Sequence, residues 1–223
     1  MKTLSLRRPL RGSLLFALSL CAFAAMAGPP LLCHPFDTAG APSLAWDGPR
    51  WNQSRADYDL RSLTADTDAL LTPGTPVIAR METLRRAAIY VSRDAGVAGQ
   101  LLSRLDARIA PADTPDTQAL ALFDRGYFAE TLHEVVRLQG YDMPGVGKVD
   151  ASGLRALLVN VEGSAQIDAA IKLLPRDASM RFAAALVAAA DQRKAAYANH
   201  AQVARAGAGK DRLLARNLQR LGN

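Results

Sequence analysis

From about Ser62 to the C-terminus, large apolar residues return at steps of three and four. That spacing restricts the chain to helices that bury one face. Val77, Met81, Leu84, Ala88 and Val91 share a face of a segment opened by Thr75-Pro76, a hydroxyl N-cap followed by proline at the first helical position. Val97, Leu101, Leu102, Leu105 and Ile109 repeat the pattern after the short break Asp94-Ala95-Gly96, and Pro111 and Pro115 stop it. Further helices are expected over 116–125, 127–139, 152–162, 164–174, 178–192, 194–206 and 211–221. Gly126, Gly140, Gly163 and Gly207 lie between or just after these segments, where left-handed C-caps are expected. No convincing alternating run competes. The expected fold is therefore all-α, with residues 58–223 forming stacked antiparallel helical hairpins, a short α-solenoid.

Residues 28–57 break this pattern. Pro29, Pro30, Pro35, Pro42 and Pro49 remove backbone donors and fix φ too often for a helix or a central strand. The same stretch holds Leu31, Leu32, Phe36, Leu44, Trp46 and Trp51, both tryptophans among them. So much apolar surface predicts an irregular arm that lies along the helical domain, capping the array or filling its groove.

Residues 1–27 have the form of a secretory signal peptide. Lys2, Arg7, Arg8 and Arg11 precede an apolar run from Leu14 to Ala24, and small residues at Ala25 and Ala27 place cleavage before Gly28. The run is about 12 residues, short of the roughly 20 that a spanning helix needs, and an uncleaved anchor is the rival reading. No small residue precedes Cys21 or Cys33 to make a lipobox. The expectation is export, to a bacterial periplasm or beyond, with no stable membrane insertion after cleavage. The whole chain carries 27 Lys and Arg against 21 Asp and Glu, a net charge of +6. Four of those bases fall in residues 1–27, which contain no acid, so 23 bases face 21 acids afterwards and the balance is +2. The basicity thus belongs mainly to the leader, and a nucleic-acid role is not expected. With 49% apolar and 22% charged residues, the chain is neither disordered nor fibrous. Cleavage also removes Cys21 and leaves Cys33 without an intramolecular partner.

Two resemblances accompany these patterns. Asp116–Leu138, with Gly126 at a turn, Phe128, and Glu130-Thr131-Leu132 opening a second helix, resembles the join of a tetratricopeptide repeat and implies hairpin stacking. Gly28-Pro29-Pro30-Leu31-Leu32-Cys33-His34-Pro35-Phe36-Asp37 behind a signal peptide is similar to a group of exported bacterial helical proteins. That likeness implies export and a helical fold and assigns no activity.

Chemistry-bearing residues are few. Cys33-His34 pairs a soft with a borderline ligand and gives one reading as a metal- or haem-handling protein. The competing readings pack Cys33 as a small apolar group with His34 hydrogen-bonded to the arm, or leave Cys33 as an exposed redox-active or intermolecular thiol. Haem attachment through Cys-x-x-Cys-His fails because residue 30 is proline. Glu130-x-x-His133-Glu134 is half of a di-iron carboxylate motif, but no second Glu-x-x-His exists. There is no Gly-x-Ser-x-Gly and no His-Glu-x-x-His, and Gly145-Val146-Gly147-Lys148 lacks the spacing of a phosphate loop. No enzyme activity and no cofactor are expected. Arg80, Glu82, Arg85 and Arg86 cluster beside the apolar face of their helix. They read either as local ion pairs or as a groove for an acidic peptide terminus. The expected function is accordingly that of an exported helical-repeat protein binding a peptide or protein partner, with Arg80, Glu82, Arg86, Glu130 and His133 as candidate contacts.

Overall fold

Aspartate and threonine side chains open most of the helices. In the computed structural model, which describes residues 29–138 and 146–222, Asp94, Asp150, Asp177 and Asp211 each accept a backbone N–H from the first turn that follows. Thr114 does the same within a capping box with Thr117, and Pro115 stands at the first helical position. Proline therefore opens this helix, whereas the previous one ends at Asp106, before either proline. Thr75-Pro76 behaves otherwise. Pro76 is itself the N-cap, and the Thr75 hydroxyl donates to the Leu70 carbonyl instead.

The helices are α1 (Leu63–Leu70), α2 (Val77–Val91), α3 (Ala95–Asp106), α4 (Pro115–Arg137), α5 (Ala151–Leu157), α6 (Gly163–Leu173), α7 (Ala178–Ala190), α8 (Lys194–Gly207) and α9 (Arg212–Asn217). Short 3-10 turns cover Leu60–Ser62, Ala208–Lys210 and Leu218–Leu221. The described residues contain no strand, only an isolated antiparallel bridge between Trp46 and Ser54, so the fold is all-α. Asp47-Gly48, a turn dipeptide, lies inside the reversal that makes this bridge.

The chief correction concerns α4. The two expected helices 116–125 and 127–139 are one unbroken helix, Pro115–Arg137, and Gly126 is in its interior, with no turn of a tetratricopeptide hairpin there. The reason is steric. A Cβ on Gly126 would lie 2.5 Å from the Gly163 carbonyl oxygen, and a Cβ on Gly163 would in turn strike the Gly126 carbonyl. Glycine is present at both positions because the start of α6 crosses α4 backbone to backbone. Gly207 likewise ends α8 at φ −83°, outside the left-handed region, while Asn160 and Gln192 take φ of 62° and 58° after α5 and α7. Gly140 lies outside the described residues.

This crossing makes α4 the hub of the core. It packs on α2, α3, α5, α6 and α7, and α7 and α8 pair across a short turn. Phe123, Tyr127, Phe128 and Leu132 of α4 are fully buried. An open array gives each hairpin only its sequence neighbours; here the last turn of the chain returns to residues 30–37 near its start. Leu31, Leu32, Phe36 and Leu44 of the arm are buried in the same cluster as the helices.

Candidate functional site: the seat of the arm

A segment with five prolines and no secondary structure must find partners for its main chain elsewhere, since buried backbone groups left unpaired are costly. The helices supply them from side chains. Glu82, Arg85 and Arg86 fall at i, i+3 and i+4 on α2, so they meet on one face. Glu82 and Arg85 are 0% exposed and form a double ion pair of 2.7 and 2.8 Å, and Arg86 adds a third bond of 2.7 Å. Glu82 Oε2 also accepts the Phe36 N–H at 3.0 Å. Arg85 donates to the carbonyls of Leu32 and Trp51, and Arg86 to that of Leu44. One turn on, the Tyr90 hydroxyl donates to the Ala45 carbonyl and accepts the Arg55 N–H.

The opposite wall comes from α4 and from the C-terminus. Glu134 Oε2 accepts both the Leu31 and the Leu32 N–H, at 2.9 and 2.7 Å. The Arg220 fork donates to the carbonyls of Pro35 and Pro30, at 2.9 and 3.1 Å. Asn217 accepts from the Asp37 N–H and donates to the Asp37 carbonyl, both at 2.9 Å, and Arg216 pairs with the Asp37 carboxylate at 2.7 Å. Acceptors therefore face amides and donors face carbonyls along the arm from Pro30 to Ala45.

Apolar contacts fill the space between. Phe36 stands edge-on to Phe182 at 6.1 Å, with the Arg220 guanidinium 4.4 Å above its ring. Trp46 stands edge-on to Tyr90 at 5.7 Å, with Arg85 and Arg86 over its ring.

Burial sets the electrostatics of the seat. It acts against the Glu82 carboxylate, but Arg85, Arg86 and the Phe36 N–H outweigh it and hold Glu82 below the usual range. Glu134 has no such ion pair; burial pushes it up to about 7 although the Leu32 and Leu31 amides and Arg137 oppose the rise. Burial lowers Arg220 to about 10, so it stays charged at neutral pH. The Cys33 thiol is half-buried and is pushed up to about 11 by burial and by Glu134. It is therefore a thiol at neutral pH in the absence of a metal ion. Among the described residues no group of three or more His, Cys, Asp or Glu side chains is placed to hold a metal ion, so Cys33 and His34 have no assembled ligand set around them.

The other expected contacts lie elsewhere. Arg80 is fully buried and pairs with Asp124 at 2.6 Å, while its remaining donors bind the carbonyls of Thr75 and Thr72. Arg108, in the turn after α3, joins Asp124 and binds the Leu71 carbonyl, so this network fixes the 71–75 connection. Glu130 accepts the Ser164 N–H at the start of α6, and His133 bonds the Val161 carbonyl at 2.8 Å. Both hold the α5–α6 connection. Of the five candidates, only Glu82 and Arg86 reach the arm. Glu134, Tyr90, Asn217 and Arg220 were missed. Glu134 follows His133 in sequence, but its partners are main-chain atoms, and nothing local marks Asn217 or Arg220, which reach residues about 180 positions away.

Two open clefts flank the 72–76 connection. One of about 240 Å³ is lined by Arg80, Arg108 and Thr117. The other, of about 400 Å³, is lined by Asp116, Asp177 and Asp211. Comparison with known proteins adds no family: no family model, no curated protein and no solved structure matches the chain. No helix among the described residues is long and apolar enough to cross a membrane.

Proposed function

We propose that this is an exported helical scaffold that binds an extended segment of a partner protein, and that the seat of the arm is its binding site. One observation carries the reading. Side chains from three distant parts of the chain, α2, α4 and the C-terminal turn, converge on main-chain atoms of a segment without secondary structure. Main-chain recognition of this kind gives affinity for a peptide as such, and apolar pockets then give selectivity. The arm is the built-in occupant. A partner segment competes for the same donors and acceptors, so the arm sets the threshold for binding. The leader-like residues 1–27 and the likeness of residues 28–37 to exported helical proteins support a periplasmic setting.

The test uses the full chain made behind residues 1–27, recovered from the periplasm as a protein beginning at Gly28. A protease site is placed at Ala56-Asp57, which is exposed, and cut after folding. A fluorescent peptide of residues 28–53 is then added in urea below the unfolding midpoint. Saturable exchange of the cut arm for the labelled peptide is the expected outcome. An arm that leaves while the helical core refuses the peptide, or one that never leaves before the core unfolds, would sink the reading.

A further inference from the structure

The seat does not treat all positions of its occupant alike. Main-chain bonds at residues 30, 31, 32, 35, 36 and 37 are indifferent to side-chain identity. Side chains are enclosed at only three of these positions: Leu31 is 0% exposed, Leu32 1% and Phe36 5%. Cys33 and His34 are half-exposed, and Pro35 and Asp37 are exposed. From this pattern we propose that the seat selects partner segments with two adjacent leucine-like residues followed, four positions after the second, by an aromatic residue. Arg220 is the residue that sets the aromatic requirement. The inference rests on the peptide-binding reading and specifies its ligand.

The role of Arg220 follows from its two kinds of contact. Its fork binds the carbonyls of Pro30 and Pro35, so the guanidinium plane is fixed by the path of the occupant's main chain. The guanidinium carbon lies 4.4 Å over the centre of the Phe36 ring, which also stands edge-on to Phe182. A leucine at this position fills part of the volume but offers no π face to the cation. A lysine at position 220 keeps the charge but loses both the fork and the flat stacking surface. Asn217 grips both main-chain groups of Asp37 and so fixes the register of the residue after the aromatic. The Arg216–Asp37 pair is solvent-exposed, and an exposed pair of this kind shifts affinity by no more than a few-fold.

The experiment is a competition series on the cut full chain, with unlabelled peptides of residues 28–53 displacing the labelled parent. Phe36→Leu and Leu32→Asn peptides are expected to compete at least about tenfold more weakly. A Cys33→Ser peptide should fall within about threefold of the parent, and Asp37→Asn within a few-fold. On an Arg220→Lys protein the penalty for Phe36→Leu should shrink towards none. Because the peptide series leaves the protein unaltered, a fold lost in Arg220→Lys does not affect it, and Phe182→Leu provides a second variant on the protein side. If all peptides compete equally, the seat reads main chain alone and this inference fails while the peptide-binding reading survives. If no peptide competes, including the parent, the peptide-binding reading fails first.

Discussion

Glu134 is the residue whose chemistry is least settled by its neighbours. Its carboxyl holds the Leu31 and Leu32 amides through one oxygen, while burial holds its pKa near 7. In the unfolded chain a glutamate titrates at about 4.5. Between those values the folded chain keeps a proton that the unfolded chain has released, so this group's contribution to stability is greatest below about pH 4.5 and is lost as pH rises through 7. Asp124, raised to about 6 by burial, acts in the same direction, and Glu82, held low, acts in the opposite one. Glu134→Gln isolates one group from the others. Denaturant unfolding at pH 5 and pH 8 should show wild type losing more stability than the variant over that interval, by on the order of 2 kcal/mol. Parallel profiles would mean that the carboxyl is solvated or ionised throughout. At this scale the sequence was partly legible. Glu82, Arg85 and Arg86 declared themselves by i, i+3, i+4 spacing, whereas the partners of Glu134 are main-chain atoms, which no residue pattern announces.

The elements were legible in kind and misread in continuity. Apolar spacing locates most helices, but glycine carries two meanings in a helical sequence, and spacing alone does not tell them apart. Glycine as a helix terminator predicts a break at Gly126; in α4 it is present because α6 approaches too closely for any side chain. The two readings make opposite predictions for Gly126→Ala. In an ordinary helix interior alanine is favoured over glycine by up to about 1 kcal/mol. Here the added methyl meets the Gly163 carbonyl at 2.5 Å, with Gln166 Cβ and Ile167 Cγ1 at 3.0 Å, and overpacking against backbone costs about 1–3 kcal/mol. The steric cost wins, and thermal unfolding of Gly126→Ala should show a net loss of stability. Gly99→Ala in α3 serves as the comparison. Its methyl would sit 3.4 Å from Leu157 Cδ1, an ordinary contact, so that variant should be unchanged or more stable. A stabilised Gly126→Ala would remove the close crossing on which the hub role of α4 depends.

At the scale of the whole molecule, the charge balance and the closure of the chain belong together. Arg80, Glu82, Arg85 and Asp124 are all fully buried, so part of the charge counted in the sequence lies inside the protein, holding connections and the arm in place. An arm was foreseeable from prolines beside tryptophans; its fixing by residues 217–220 was not, because contacts between residues about 180 positions apart leave no trace in local spacing. This closure also makes the arm separable. Its bonds to the core run through a handful of side chains, and such regions open locally at lower free energy than a helical hub. Asn217→Ala tests the separation: it adds no volume at a buried position while removing both bonds to Asp37. Hydrogen exchange of the variant should show faster labelling at Leu31, Leu32 and Phe36, with the amides of α4 and α7 protected as in wild type. A uniform loss of protection would show the arm to be one cooperative unit with the helices. An arm of that kind cannot yield its seat to a partner while the scaffold stays folded, so this measurement bears on the proposed binding function without requiring the partner to be known.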